Sequence, residues 1–278
     1  MSLKRTTVTT GSVNQAVKVA RWQPNSNSIY SVGTSTEIGL YSKNKEGKEL
    51  TSQLATYQHE GTLDLRWISS QEILLASSTG SVTLCQYTSS SQQITQKQSW
   101  TLTPEDAVLS IDIFMNKSRF GFHSQARADR AVAACESGAI HLLGLDSDTP
   151  LASARCSSAV FAACCAGDNS VLLAGMGGRL SEWDVRQQQL VRRATFTDSY
   201  APSLISVAAH PTQENITVTG SSSGILSVWD RRKSDVPTYS AEALTSPVWD
   251  VCFMPRNSTQ ILSADDEGVI RLWSSLII

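Results

Sequence analysis

The stretches GRLSEWD, residues 178–184, and GILSVWD, residues 224–230, are nearly identical heptapeptides. Each begins at a glycine and ends in Trp-Asp. A catalytic motif needs no second copy, whereas a structural unit that repeats along the chain produces one. The pair therefore predicts a repeat architecture rather than a single active site.

Further copies of the heptapeptide recur at intervals that are mostly near 44 residues, a period in the range of WD repeats. Each copy has a turn residue, usually glycine, and a bulky or apolar residue five positions later. The turn residues are Thr36, Gly80, Gly138, Gly178, Gly224 and Gly268, and the residues five positions later are Tyr41, Cys85, Leu143, Trp183, Trp229 and Trp273. The third unit is longer because of a polar excess at residues 116–129, which we interpret as a loop.

Short apolar or alternating segments precede each copy, for example TLDLRW at residues 62–67 and EILLAS at residues 72–77. Segments of this length, punctuated by Gly, Ser, Asn and Asp, favour strands over helices. Four strands in a unit that ends in Trp-Asp are typical of a WD-type β-propeller, whose sheets bury their faces against one another. We predict an all-β WD40-type β-propeller in which one domain spans residues 1–278.

Six repeat units are readable in the sequence. The units span residues 13–58, 59–105, 106–155, 156–200, 201–245 and 246–278. A ring must close or leave two open sheet edges, and two solutions remain. Residues 1–12 contain the alternating segment Lys4–Thr10, which suits an outer closing strand for the last unit. Alternatively, a seventh blade is missing from this chain.

The repeated residues are interpreted as architecture rather than as catalytic groups. They are the Trp-Asp pairs, the last tryptophan and the turn glycines: Trp183, Asp184, Trp229, Asp230, Trp273, Gly80, Gly138, Gly178, Gly224 and Gly268. The serine motif GSSSG around Ser222 is followed by a strand, whereas a nucleophile elbow requires a helix. Asp64 and Asp250 are the acids expected near the channel, and we interpret both as structural. We therefore expect no enzyme activity, cofactor or metal.

The composition excludes several classes of function. The net charge of −2 gives no basic excess, so direct nucleic-acid binding is not expected. The start of the chain resembles no signal peptide, and no apolar run is long enough for membrane insertion. Six cysteines form no C-x-x-C pair and mostly lie in apolar runs, which favours reduced thiols in the cytosol or nucleus.

Four longer segments resemble a known family. They are LDLRWISSQEILLASSTGSVTL (63–84), GRLSEWDVRQQ (178–188), AAHPTQENITVTGSSSGILSVWDRR (208–232) and VWDVCFMPRNSTQILSADDEGVIRLW (248–273). Together they resemble the small, forty-three-kilodalton type WD-repeat nucleoporins of the Y-shaped outer-ring complex of the nuclear pore. Members of that family have seven blades, one more than is readable here.

The resemblance implies a scaffold function. It implies a place in the nuclear pore beside other Y-complex nucleoporins, especially an α-solenoid scaffold nucleoporin. It also implies support of protein import and mRNA export, and a location at kinetochores in mitosis. No contact residues are carried over, because no binding motif is recognisable in the sequence.

An alternative function is that of a substrate receptor for a cullin-type ubiquitin ligase. Such receptors often contain the motif W-D-x-R, and this chain has it at residues 183–186 and 229–232. The arginines are suited to charge-assisted hydrogen bonds with an adaptor protein. However, the turns before both copies lack the aspartate that usually accompanies the motif.

Overall fold

The computed structural model describes residues 16–24, 26, 28–43, 51–114, 128–187, 190–195, 201–233, 236–242, 245–254 and 257–274. These residues contain 23 β-strands and no helix. The expected closing strand, Lys4–Thr10, and residues 116–127 of the expected loop lie outside the described residues.

The strands form six antiparallel sheets, numbered in chain order. Sheet 1 contains β1 (Val19–Trp22), β2 (Ile29–Gly33), β3 (Glu37–Lys43) and β4 (Thr51–Gln58). Sheet 2 contains β5 (Thr62–Trp67), β6 (Glu72–Ser77), β7 (Ser81–Thr88) and β8 (Gln93–Thr101). Sheet 3 contains β9 (Val108–Ile113), β10 (Arg130–Cys135), β11 (Ala139–Gly144) and β12 (Pro150–Arg155).

Sheet 4 contains β13 (Val160–Cys165), β14 (Ser170–Gly175), β15 (Arg179–Asp184) and β16 (Leu190–Thr195). Sheet 5 contains β17 (Leu204–Ala209), β18 (Ile216–Ser221), β19 (Ile225–Asp230) and β20 (Tyr239–Glu242). Sheet 6 contains β21 (Val248–Met254), β22 (Asn257–Asp265) and β23 (Ile270–Ser274). Each sheet is a meander, because its strands pair in the order in which they follow one another along the chain.

Consecutive sheets pack face to face through buried apolar side chains. One cluster joins sheet 1 to sheet 2, and four further clusters join sheets 2 and 3, 3 and 4, 4 and 5, and 5 and 6. The second strands of sheets 2 to 5 therefore have packed neighbours on both faces, and all six residues of β6 are buried. Among the described residues, no such cluster joins sheet 6 to sheet 1.

The first strands of all six sheets surround a central channel. Residues of β1, β5, β9, β13, β17 and β21 line one cavity of about 900 Å³. Sheets that are arranged radially around a shared channel define a β-propeller. The prediction of an all-β, WD40-type propeller from the sequence is confirmed.

Tight turns join the second and third strands of sheets 2 to 6, and they contain the five repeat glycines. Gly80, Gly138, Gly178, Gly224 and Gly268 all have positive φ angles, between 66° and 89°. The backbone allows no side chain at two of them. A Cβ on Gly80 would lie 1.9 Å from the carbonyl oxygen of Thr103, and one on Gly138 would lie 2.5 Å from that of Ser158.

Candidate functional site

The repeat tryptophans lie on the third strands and face a neighbouring sheet. Trp183 is fully buried against sheet 3, and its indole N–H donates to the carbonyl oxygen of Gln187 at 3.1 Å. Trp229 is buried against sheet 4 and donates to the Thr219 hydroxyl at 2.8 Å. Trp273 is only partly buried, and it donates to the Ser263 hydroxyl at 2.9 Å. All three indoles therefore hold their own sheets together internally.

The repeat aspartates form ion pairs with arginines two residues later in the chain. Asp184 accepts from Nε and Nη2 of Arg186 at 2.9 and 2.7 Å. Asp230 binds Arg232 in the same way, at 2.9 and 2.8 Å. The hydrogen bonds from these guanidinium groups lower the pKa of each aspartate to about 2. The two W-D-x-R motifs thus present the same bidentate pair, whose arginine side chains are 67% and 68% exposed.

A row of alternating charges crosses the channel wall and joins four of the six sheets. Asp250 of sheet 6 binds Arg21 of sheet 1 at 3.6 Å, and Arg21 also lies 3.6 Å from Asp64 of sheet 2. Asp64 then binds Arg66 at 2.9 Å, and Arg66 reaches Asp112 of sheet 3 at 3.3 Å. We call these five residues the channel belt. Its link from Arg21 to Asp250 connects the first and last sheets.

The carboxylates of the channel belt also bind the backbone of the next sheet. Asp64 accepts from the Ile111 N–H at 3.0 Å, and Asp112 accepts from the Cys165 N–H at 2.8 Å. Each aspartate therefore holds two sheets in register at the channel wall. The oxygens of Asp64 and Asp112 therefore accept hydrogen bonds from fixed backbone donors, as buried polar groups in folded proteins usually do.

The pKa values of the two arginines in the channel belt shift in opposite directions. Burial alone would lower the pKa of Arg66, but the negative charges of Asp64 and Asp112 outweigh it and raise this pKa. Burial and the positive charge of Arg66 lower the pKa of Arg21, against the opposing effect of Asp64 and Asp250. Both side chains remain charged at neutral pH, because an arginine pKa starts above 12.

A second charged contact joins sheets 4 and 5 away from the channel. Arg231, which follows β19, donates to the Ser170 hydroxyl at 2.8 Å and forms an ion pair with Glu182. Glu182 also accepts from Ser170 at 2.6 Å. Arg231 further donates to the carbonyl oxygen of Glu214 at 2.7 Å. Arg231, at the third position of the second W-D-x-R motif, therefore binds the preceding sheet.

Ser222 and His210 both lie beside strands of sheet 5. Ser222 lies in the exposed turn before β19, and a strand follows it. His210 is buried, and its Nδ1 accepts from the backbone N–H groups of Thr212 and Gln213 at 3.2 and 2.8 Å. In the described part of the chain, no group of three or more His, Cys, Asp and Glu side chains is placed to hold a metal.

The cysteines have the surroundings of inert thiols. Burial raises the pKa of Cys85, Cys135 and Cys164 to about 12 and that of Cys156 to about 11. It also raises the pKa values of the remaining two, Cys165 and Cys252. A thiol with a raised pKa forms little thiolate at neutral pH and is therefore a poor nucleophile.

The channel belt was missed by the sequence analysis, although Asp64 and Asp250 were singled out. The two acids are brought together around Arg21, which no motif identified. A signal was present, because charged residues interrupt the first strands in VARW (19–22) and TLDLRW (62–67). In a strand whose neighbours are apolar, an inward charge indicates a partner on another strand.

No helix among the described residues has the length and apolar character that crossing a membrane requires. The family described as "WD domain, G-beta repeat" matches residues 234–274. The chain is 26% identical to Nucleoporin Nup43 of Homo sapiens over 227 residues, which cover 80% of this chain. The same figures hold for Nucleoporin Nup43 of Mus musculus.

The aligned part of the chain spans 59% of the length of the human and mouse relatives. A lower similarity, 21% identity, relates the chain to the Diphthine methyltransferase homolog of Dictyostelium discoideum, over 78% of this chain and 61% of that protein. The resemblance to the small WD-repeat nucleoporins, inferred from the sequence, is confirmed by these comparisons. The chain therefore has the fold of a WD40-type β-propeller and is similar in sequence to the Nup43-type nucleoporins.

Proposed function

We propose that the chain is a non-catalytic scaffold protein of the Y complex in the outer rings of the nuclear pore. In this function it binds an α-solenoid scaffold nucleoporin and supports protein import and mRNA export. Its location is the nuclear envelope, with a further location at kinetochores in mitosis. The observation that carries the proposal is the similarity to proteins named Nucleoporin Nup43 over 80% of the chain.

The channel supports a structural function. In channel-type enzymes with this fold, acids or histidines converge on a substrate, whereas here Asp64 and Asp112 bind arginine side chains and backbone N–H groups. The interaction surface is then formed by the loops and turns that join strands and sheets, since such segments vary freely on a rigid scaffold. The repeat residues Trp183, Trp229 and Trp273 act by holding that scaffold together.

The test is affinity purification of the tagged full chain from nuclear envelopes, with identification of the recovered proteins by mass spectrometry. We expect outer-ring nucleoporins, including one with an α-solenoid, and a fluorescent label at the nuclear rim. Leu272→Ala is a matched silent variant because this side chain is exposed, and Trp229→Ala controls for loss of the fold. Recovery without outer-ring nucleoporins, or a label spread through the cytosol, would contradict the proposal.

The ligase-receptor alternative rests on the two exposed, identically held arginines, Arg186 and Arg232. If they bind an adaptor, the double variant Arg186→Ala with Arg232→Ala loses a ligase adaptor from the purified material. Lys233→Ala is the matched control, since it removes a neighbouring exposed positive charge without touching either motif. Absence of any ligase adaptor from the wild-type sample rules out this alternative.

A further inference from the structure

One end of the channel carries a ring of large apolar side chains. In sheets 2 to 6, the pairing between the first and second strands skips the second residue of the first strand, which is the extra residue of a β-bulge. These residues are Leu63, Leu109, Phe161, Ile205 and Trp249, and all of them line the channel cavity. We call them the mouth ring. A bulge re-aims the side chain of its extra residue, and bulges are common beside functional sites.

The mouth ring is exposed, whereas its neighbours along the strands are buried. In sheets 3 to 6 the preceding residue is apolar and at most 2% exposed; these residues are Val108, Val160, Leu204 and Val248. Within the ring, Trp249 is 58% exposed and the other members are partly exposed. The interfaces between sheets are therefore filled by the preceding residues. Apolar side chains that are grouped on the surface commonly mark a site for another molecule.

The connecting segments around the mouth ring are acidic. Because strands of a meander alternate in direction, the turns after the second strands and the links into the first strands lie at this same end. Hydrogen bonds join them, as from the Glu136 N–H to the Ala107 carbonyl oxygen at 2.9 Å. Where the structure describes these turns and links, they contain no lysine or arginine. Their acidic residues are Glu60, Glu105, Asp106, Glu136, Asp266 and Glu267.

Basic residues at this end do not cancel the negative charge at the channel. Lys18 stands three residues before Arg21, as Leu63 stands three residues before Arg66, and it lines the cavity in sheet 1. Arg155 and Arg179 lie on outer strands and line a separate cavity of about 180 Å³. Outside the channel belt, the charged residues that line the channel are Lys18, Glu136 and Asp266. Acids therefore exceed bases there, as they do within the belt itself.

Trp249 is held beside one of these acids. Its indole N–H donates to the carboxylate of Asp266 at 2.9 Å, although the side chain is 58% exposed. The hydrogen bond fixes the ring at the mouth of the channel. A cation that binds Asp266 then also lies close to the face of an indole, and tryptophan is the aromatic side chain that attracts cations most strongly. This pair favours an ammonium or guanidinium group as its ligand.

We propose that the mouth ring, together with Glu136 and Asp266, binds a positively charged segment of a partner protein that carries Arg or Lys beside a large apolar side chain. The apolar side chain packs into the ring, and the cation binds Asp266 against Trp249. The acids repel phosphate groups, which disfavours a nucleic acid at this site. The inference goes beyond the proposed function, because it names a surface and a partner chemistry that apply inside or outside the nuclear pore.

Selection from random dodecapeptides displayed on phage, with the immobilised full chain as target, tests the partner chemistry. We expect the recovered sequences to be enriched in Arg or Lys close to Trp, Phe or Leu. Enrichment of acidic sequences, or of no sequence at all, would overturn the proposal.

Fluorescence anisotropy with the most enriched peptide then tests the location of the site. Trp249→Ala should weaken binding at least about tenfold, as truncation of a central aromatic side chain does at many interfaces. Trp22→Ala is the matched control, because Trp22 is also 58% exposed but ends its first strand at the far end of the channel wall. Wild-type affinity in Trp249→Ala, or an equal loss in the control, would overturn the proposal.

A second pair of variants tests the charge. Glu136→Gln with Asp266→Asn should weaken the same peptide about fivefold at low ionic strength, since two exposed charge contacts are lost. The loss should shrink in high salt, which screens such contacts. Asparagine still accepts from the Trp249 indole. The control, Asp148→Asn with Asp168→Asn, removes two exposed acids from turns at the opposite end and should bind like the wild type. Equal affinities of the two double variants, both with a wild-type circular dichroism spectrum, would contradict the proposal.

Discussion

Sheets 2 and 6 follow the same meander but have different neighbours. In sheet 2, Leu74 packs toward sheet 3 and Leu75 packs toward sheet 1, and both are fully buried. In sheet 6, Ile261 packs toward sheet 5, whereas Leu272 remains more than half exposed. The faces of a sheet in this fold are thus buried by the neighbouring sheets. A leucine side chain contributes more to stability where a second sheet packs against it than where none does.

The strongest test of this difference is a pair of matched leucine truncations. Leu74→Ala should reduce the free energy of unfolding by about 2–5 kcal/mol, since it leaves a cavity between two tightly packed sheets. Leu272→Ala should change it by less than about 0.5 kcal/mol, as exposed substitutions usually do. Urea unfolding followed by tryptophan fluorescence measures both values, and similar losses in the two variants would refute the comparison.

The next effect concerns the channel belt. Arg66→Gln removes the positive charge that binds both Asp64 and Asp112. We expect the free energy of unfolding to fall by about 2 kcal/mol, which is typical of a hydrogen bond to a charged group. Arg21→Gln acts at the junction of sheets 1 and 6 and should cost less, because Arg66 still binds Asp64. The urea midpoints of the two variants measure this order, and a larger loss in Arg21→Gln would reverse our view of that junction.

A comparable effect is expected at the equivalent positions of the repeat tryptophans. Trp229→Phe removes the donor to the buried Thr219 hydroxyl, and the free energy of unfolding should fall by about 1–3 kcal/mol. Trp273→Phe removes the donor to Ser263, but the ring is less buried, so the loss should be smaller. Differential scanning fluorimetry gives the two melting temperatures. Equal shifts would mean that the outer part of sheet 6 is packed as well as sheet 5.

The smallest predicted effect is a pH dependence at the junction of sheets 5 and 6. Burial lowers the pKa of His210, whose ring lies 4.8 Å from that of Phe253 on β21. Because the folded protein binds this proton less readily than the unfolded chain, the contribution of His210 is complete above about pH 6.5. It is lost as the pH falls through the lowered pKa of the folded state.

His210→Asn keeps an oxygen acceptor for the N–H groups of Thr212 and Gln213 and removes the titrating group. We expect the variant to lose less stability than the wild type between pH 7.5 and pH 5.5 in urea unfolding. The pKa values of His59 and His141 are also lowered by burial, so some pH dependence remains in the variant. An unchanged pH dependence would assign the effect to those two residues.

The repeat period predicted much of this fold from sequence. The positions five residues after each turn, from Tyr41 to Trp273, all lie on third strands, as the pattern indicates. The period is readable because each sheet has a turn, usually with glycine, followed five residues later by a bulky or apolar side chain. The functional inference depended on the family resemblance, because no local motif in the sequence identifies a binding surface.

Contacts between different sheets could not be predicted from the repeat pattern. Arg21 and Asp250 meet only after five other interfaces have set the curvature of the ring, and no local pattern contains that geometry. The acceptor function of His210 was not predicted either, because no sequence pattern identifies the backbone N–H groups that its ring meets. The exposure of Leu272 depends on which sheet lies beside it, which its own repeat unit does not encode.

The ion pair between Arg21 and Asp250 bears on the order of events during synthesis. Every buried cluster found among the described residues joins sheets that are consecutive along the chain, so each sheet can be covered as soon as the next one leaves the ribosome. In this order of synthesis, the first and sixth sheets are the last pair that can meet. The long, flexible side chain of Arg21 suits such a junction, because it adapts to small differences in position that closely packed apolar side chains do not tolerate.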